Sequence, residues 1–138
     1  MPLVQENAVA FEASTDLPYE DAVECCRQAL VAEGFGVLTE IDVQATLKKK
    51  LGVDRGPYLI LGACHPPSAH RALSAAPEVG VLLPCNVCVS VEDGMTVIRA
   101  MNPAVAMSLL DNPVVEQVAH EIGAALRRVV EAVATPAS

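Results

Sequence analysis

The chain has 138 residues, 52 % hydrophobic and 3 % aromatic, with 9 basic against 17 acidic side chains and a net charge of −8. That length suits one domain with one core, and so apolar a chain is not disordered. The surplus of carboxylates disfavours nucleic acid and anionic membrane surfaces as partners, because polyphosphate binding rests on cationic side chains that displace counterions.

We expect a single domain over 1–138 with an ordered core of about 8–134, the ends Met1–Asn7 and Thr135–Ser138 being frayed. Ala8–Ser14 reads as a strand. Thr15-Asp16 offers a helix cap with Pro18 in the first turn, and Tyr19, Ala22, Val23, Cys26, Ala29 and Leu30 follow at helical spacing up to Gly34. Gly36–Asp42 is extended, with Val37, Thr39 and Ile41 on one face and Leu38 and Glu40 on the other. Asp42 caps a second helix with the stripe Val43, Leu47 and Leu51, closed by Gly52.

Tyr58–Cys64 is a short apolar run between prolines and predicts a buried strand, followed by a helix near Pro67–Ala76. Val81–Val91 reads as a strand interrupted by Pro84, where a bulge or an edge position is expected. Glu92-Asp93-Gly94 is turn chemistry, and Met95–Met101 returns as the hairpin partner. Asn102-Pro103 starts a short helix. Asp111-Asn112-Pro113 caps the longest one, whose apolar stripe runs from Val115 to Val133. The order β-α-β-α-β-α-β-β-α predicts an α+β fold: a mixed or mainly antiparallel sheet with helices packed on it.

No stretch approaches the ~20 apolar residues that span a bilayer. The first residues lack the basic start and apolar run of an export signal. The expectation is a cytoplasmic protein whose five cysteines are thiols. More apolar side chain is present than a small core absorbs, which points to a partner surface and most simply to a homodimer.

The segment Gly62-Ala63-Cys64-His65-Pro66-Pro67 holds the first candidate for chemistry. A thiol where a strand ends and a helix begins meets free N–H groups and the positive end of a helix dipole, and His65 adds a titratable ring. Packing alone also explains a small thiol there. Leu82-Leu83-Pro84-Cys85-Asn86-Val87 is the second candidate. If the two strands are neighbours, Cys64 and Cys85 could share a soft transition metal ion or a sulfur species, with His65, Glu40 and Asn86 as further ligand-binding candidates. Core packing of Cys85 alongside Val87 and Val89 is the competing reading.

Cys85-Asn86-Val87-Cys88 is a weak C-x-x-C, because residues three apart on a strand point to opposite faces. Cys25-Cys26 reads as helix packing. Glu40, beside Leu38, is a candidate base or ligand. Lys48-Lys49-Lys50 suits the last turn of a helix, and His70 and His120 suit solvent-facing helix positions. The sequence carries no nucleotide loop, Walker pattern, Ser nucleophile elbow or H-E-x-x-H.

Leu38–Asp42, Ile60–Pro66 and Leu82–Val87, followed by Asn102-Pro103, resemble the bacterial and archaeal family known as domain of unknown function 302. The resemblance runs from about Phe11 to the last helix. It implies a small, dimeric α+β domain without an established activity, and it shares a Cys at Cys64 and a Pro-Cys at Pro84-Cys85. The family pattern more often has Asn where this chain has His65. Three functions follow as expectations: a homodimeric binding module with a site near Cys64 and Cys85, a thiol enzyme with Cys64 as nucleophile and His65 as base, or an interaction domain with no small ligand.

Overall fold

Six strands hydrogen-bond into one sheet in the order β1-β2-β6-β5-β4-β3, in a computed structural model that describes residues 3–134. The strands are β1 (Gln5–Glu6), β2 (Ala10–Thr15), β3 (Gly36–Asp42), β4 (Tyr58–Cys64), β5 (Cys85–Glu92) and β6 (Met95–Met101). Every pairing is antiparallel, so the α+β expectation holds in its antiparallel form. The helices are α1 (Tyr19–Ala32), α2 (Val43–Leu51), α3 (Pro66–Ala75), α4 (Pro103–Ala106) and α5 (Pro113–Ala134). Among the described residues no helix is long and apolar enough to cross a membrane.

Period-two alternation decides which face each strand buries. Phe11 and Ala13 of β2, Leu61 and Ala63 of β4, Cys85, Val87 and Val89 of β5, and Ile98 and Ala100 of β6 form one buried layer. The 22-residue α5 lies against β2 and β6, and α1 and α3 pack against α5. Its Val115, Val118, Leu126, Val129 and Val133 are sealed, as the apolar stripe predicts. The opposite sheet face carries Arg99, whose guanidinium bonds Glu12 at 2.6 Å and also holds Glu92; Ser90 Oγ donates to Glu92 at 2.6 Å.

Several expectations change. Met1–Asn7 is not wholly a frayed end: Val4 is buried and β1 pairs with β2. The expectation for Thr135–Ser138 lies outside the described residues. Thr15-Asp16 does not cap α1. Pro18 precedes that helix without a side-chain cap, while Thr15 Oγ1 accepts from the Leu17 N–H. Residues Pro77–Leu82 wind into a 3₁₀ turn instead of starting a strand, and β5 begins only at Cys85. The irregularity expected at Pro84 falls elsewhere, since the sheet's bulge lies in β3 between Val37 and Thr39. That extra residue rotates the strand, so Val37 sits opposite core residue Ala63 whereas Thr39 and Ile41 lie opposite Gly62 and Ile60 on the other face.

Candidate functional site

Cys64 and Cys85 lie at the same corner of the sheet, on neighbouring strands. The register pairs Ala63, not Cys64, with Cys85. Ala63 and Cys85 therefore share the core face, and alternation turns Cys64 to the other one. Cys85 is 2 % exposed, and burial, reinforced by nearby Cys64, pushes its thiol up to about 11. A metal ion would have to displace the thiol proton and reach a sealed position to bind it. Cys88, three residues on, faces away from Cys85, as strand alternation requires. Among the described residues no group of three or more His, Cys, Asp or Glu side chains is placed to hold a metal ion.

Cys64 is half-buried on the open face. Its neighbour in that row is Gly62, which pairs with Thr39 on one side and with exposed Asn86 on the other. A Cβ on Gly62 would overlap Thr39 Oγ1 and lie 2.9 Å from Pro84 Cγ. Segments 38–42, 60–66 and 82–87 thus close together over one bare glycine. The helix beside Cys64 offers less than expected: Pro66 and Pro67 open α3 and have no N–H to give.

His65 precedes α3 in extended backbone, so its ring points away from the Cys64 side chain. It packs edge-on against Phe35 at 5.5 Å, and a Cβ on Gly34 would lie 3.1 Å from its Nε2. Its Nδ1 is buried without a hydrogen-bond partner among the described residues. The ring lines a crevice of about 180 Å³ with Glu33, Ser68 and Arg128, in which Arg128 bonds Glu33 at 2.8 Å.

Glu40 belongs to a different place. It pairs with Leu61 and Asp42 with Leu59, so both carboxylates stand on the helix-covered face at the sheet edge. Tyr19, Val23 and Arg27 form one row of α1 facing them, four residues apart. Arg27 Nε donates to Glu40 Oε1 at 2.7 Å, and its Nη1 donates to Glu24 at 3.1 Å. Tyr19, Glu20, Val23, Arg27, Glu40, Asp42 and Leu59 enclose a groove of about 420 Å³. Burial first, and then Asp42, raises the Tyr19 phenol above its ordinary value, so it remains a neutral donor at neutral pH. A third crevice of about 450 Å³ runs between α4 and α5, with Asn102 and Arg127 in its wall. Cys64, Cys85 and Asn86 line none of the three.

In the sequence Tyr19 and Val23 read as helix stripe, Asp42 as a helix cap and Leu59 as part of a buried strand, while Glu20 and Arg27 carried no signal of their own. The spacing of Tyr19, Val23 and Arg27, together with the alternation of Glu40 and Asp42, was the signal available.

Sheet and grooves define a small α+β domain: one antiparallel sheet, α1, α3 and α5 layered on one face, and a carboxylate-lined cleft at its β3 edge. The profile of the family described as domain of unknown function DUF302 matches residues 11–133, and the chain belongs to that family. It is similar to the crystal structure of an uncharacterised conserved DUF302 protein from Bacillus stearothermophilus. The TM-score is 0.84 at 29 % identity, over 89 % of this chain and 96 % of that one. No curated protein matches. The resemblance read from the Cys64 and Cys85 segments therefore stands, and it assigns no activity.

Proposed function

We propose that this chain is a small-molecule binding module whose site is the groove between α1 and β3, and that its ligand is a small organic amine. One observation carries the reading: the groove has a ligand-sized volume and gathers polar groups over an apolar floor. Binding pockets commonly run from about 300 to 1,000 Å³ with a few convergent polar groups. Three carboxylates, Glu20, Glu40 and Asp42, face one cation, Arg27, so the lining is net negative. Val23 and Leu59 supply apolar contact, and the Tyr19 ring offers a π face to an ammonium group. Titration calorimetry with putrescine and spermidine tests it. Binding to the wild type should weaken roughly fivefold in Glu20→Gln, the loss of about 1 kcal/mol expected for one exposed charge pair. Equal affinity in the two proteins, or no heat with either amine, would reject the reading.

A second reading rests on the convergence over Gly62. Cys64 is a half-exposed thiol two residues along β4 from Gly62, which Thr39 and Asn86 flank, and is suited to carry a sulfur species or a soft metal ion such as Cu(I). Cys85 takes no part in it. Uptake of Cu(I) or of sulfur from a persulfide donor should disappear in Cys64→Ala and persist in Cys85→Ala. Uptake that survives in Cys64→Ala excludes it.

A further inference from the structure

Buried side chains keep their polar atoms paired, so an unpaired one beside a cleft marks where another molecule fits. Asn102 is 7 % exposed. Its Oδ1 accepts from the Ala104 N–H at 3.1 Å and caps α4, which fixes the orientation of the carboxamide. The Nδ2 at the other end donates to no group among the described residues. It is not sealed away either, since His65 Nδ1 is the only sealed side-chain N or O atom without a partner among those residues. Asn102 lines the crevice of about 450 Å³ between α4 and α5, and its free N–H groups open there.

Gly123 borders the same crevice, in the middle of the 22-residue α5. Glycine is the poorest helix former after proline, so a glycine in a helix interior calls for a packing reason. Packing does not supply one here. A Cβ on Gly123 would lie 3.6 Å from Pro103 Cδ and 4.0 Å from Asn102 Oδ1, both ordinary contact distances. What the missing methyl leaves open is space beside the Asn102 carboxamide.

His120, Gly123, Ala124 and Arg127 follow at helical spacing along the α5 wall. Arg127 is held more loosely than the other paired arginines. It meets Glu131 at 3.3 Å and Glu6 at 3.5 Å, whereas Arg27, Arg71, Arg99 and Arg128 each have a carboxylate within 2.8 Å.

We infer that this crevice is a second binding site and that it takes a small organic carboxylate. Asn102 Nδ2 and the Arg127 guanidinium donate to the carboxylate oxygens, which displace Glu6 from its long pairing with Arg127. Ala104, Val105 and Ala119 give the ligand's body an apolar wall that an inorganic anion would leave unused. The site shares no residue with the α1–β3 groove and selects the opposite charge, so it stands apart from the amine reading.

Titration of the wild type with sodium benzoate and sodium hexanoate tests it in ¹H–¹⁵N spectra, which report the Asn102 side-chain NH₂ directly. Either carboxylate should shift that pair and the amides of His120, Gly123 and Ala124 saturably. Benzyl alcohol, which keeps the ring without the charge, should bind roughly tenfold more weakly than benzoate, and Arg127→Gln should weaken benzoate by about as much. Gly123→Ala should melt no lower than the wild type, because alanine favours the helix, yet bind benzoate roughly tenfold more weakly. Asn102 signals that ignore both carboxylates overturn the inference. So do equal binding of benzyl alcohol, unchanged affinity in Arg127→Gln or Gly123→Ala, and a Gly123→Ala protein that melts below the wild type, since that glycine would then serve packing.

Discussion

Ala63 and Cys85 stand directly opposite each other across β4 and β5, both sealed in the core. That one pairing separates the thiols of two motif segments, since Cys64, a single residue further along, faces the other side of the sheet. Cys85 then acts as packing. Cys85→Ala should cost about 1 kcal/mol through the small cavity it leaves, and Cys85→Ser should cost more by burying a hydroxyl. Cys64→Ala, at a half-exposed position, should change the urea midpoint little. Equal losses at Cys64 and Cys85 would show that the two positions are equivalent.

Gly62 answers to a different constraint. Thr39 and Pro84 leave no room for a side chain there, so Gly62→Ala should destabilise by about 1–3 kcal/mol as neighbours are forced apart. Gly36→Ala in the adjoining strand, with nothing within 4 Å of its Cβ position, is the matched control and should be near neutral. Urea denaturation of the two variants distinguishes a packing demand from a general dislike of alanine.

The open face should make the protein acid-sensitive through Glu92. Hydrogen bonds from Arg99 first and Ser90 second hold its carboxyl down at about 2, against an ordinary 4.5. A depressed carboxyl stabilises the fold above its unfolded value, and the contribution is lost as pH falls from about 4.5 towards 2. Solvent screening at this partly exposed site limits it to about 1 kcal/mol. Glu92→Gln should therefore flatten the stability profile in that window and leave the slope above pH 6 as it was. Chemical denaturation across the acid range measures both.

Much of the fold was legible because the elements have clean periods and clear stops. The α5 stripe, the Gly52 close of α2 and the Asp93-Gly94 hairpin turn fall where the residues predict. β1 was not legible, because a two-residue polar strand has no pattern of its own and exists only through β2. The β3 bulge was hidden for a related reason: alternation assumes an unbroken ladder, and the shift at Val37–Thr39 arises from pairing with β4. The groove at the β3 edge was the least legible feature. Chemically conspicuous residues, Cys64, Cys85 and His65, drew the eye. Glu40 was picked out, but its groove partners on α1 are ordinary in sequence and meet it only through tertiary packing.

The most direct test of the groove is ¹H–¹⁵N chemical-shift mapping of the wild type during titration with spermidine. We predict saturable shifts at Tyr19, Glu20, Val23, Arg27 and Leu59, with Cys64, Asn86 and His65 undisturbed. Shifts that cluster instead around Cys64 and Asn86, or around His65 and Ser68, would contradict the assignment of the ligand site to the α1–β3 groove.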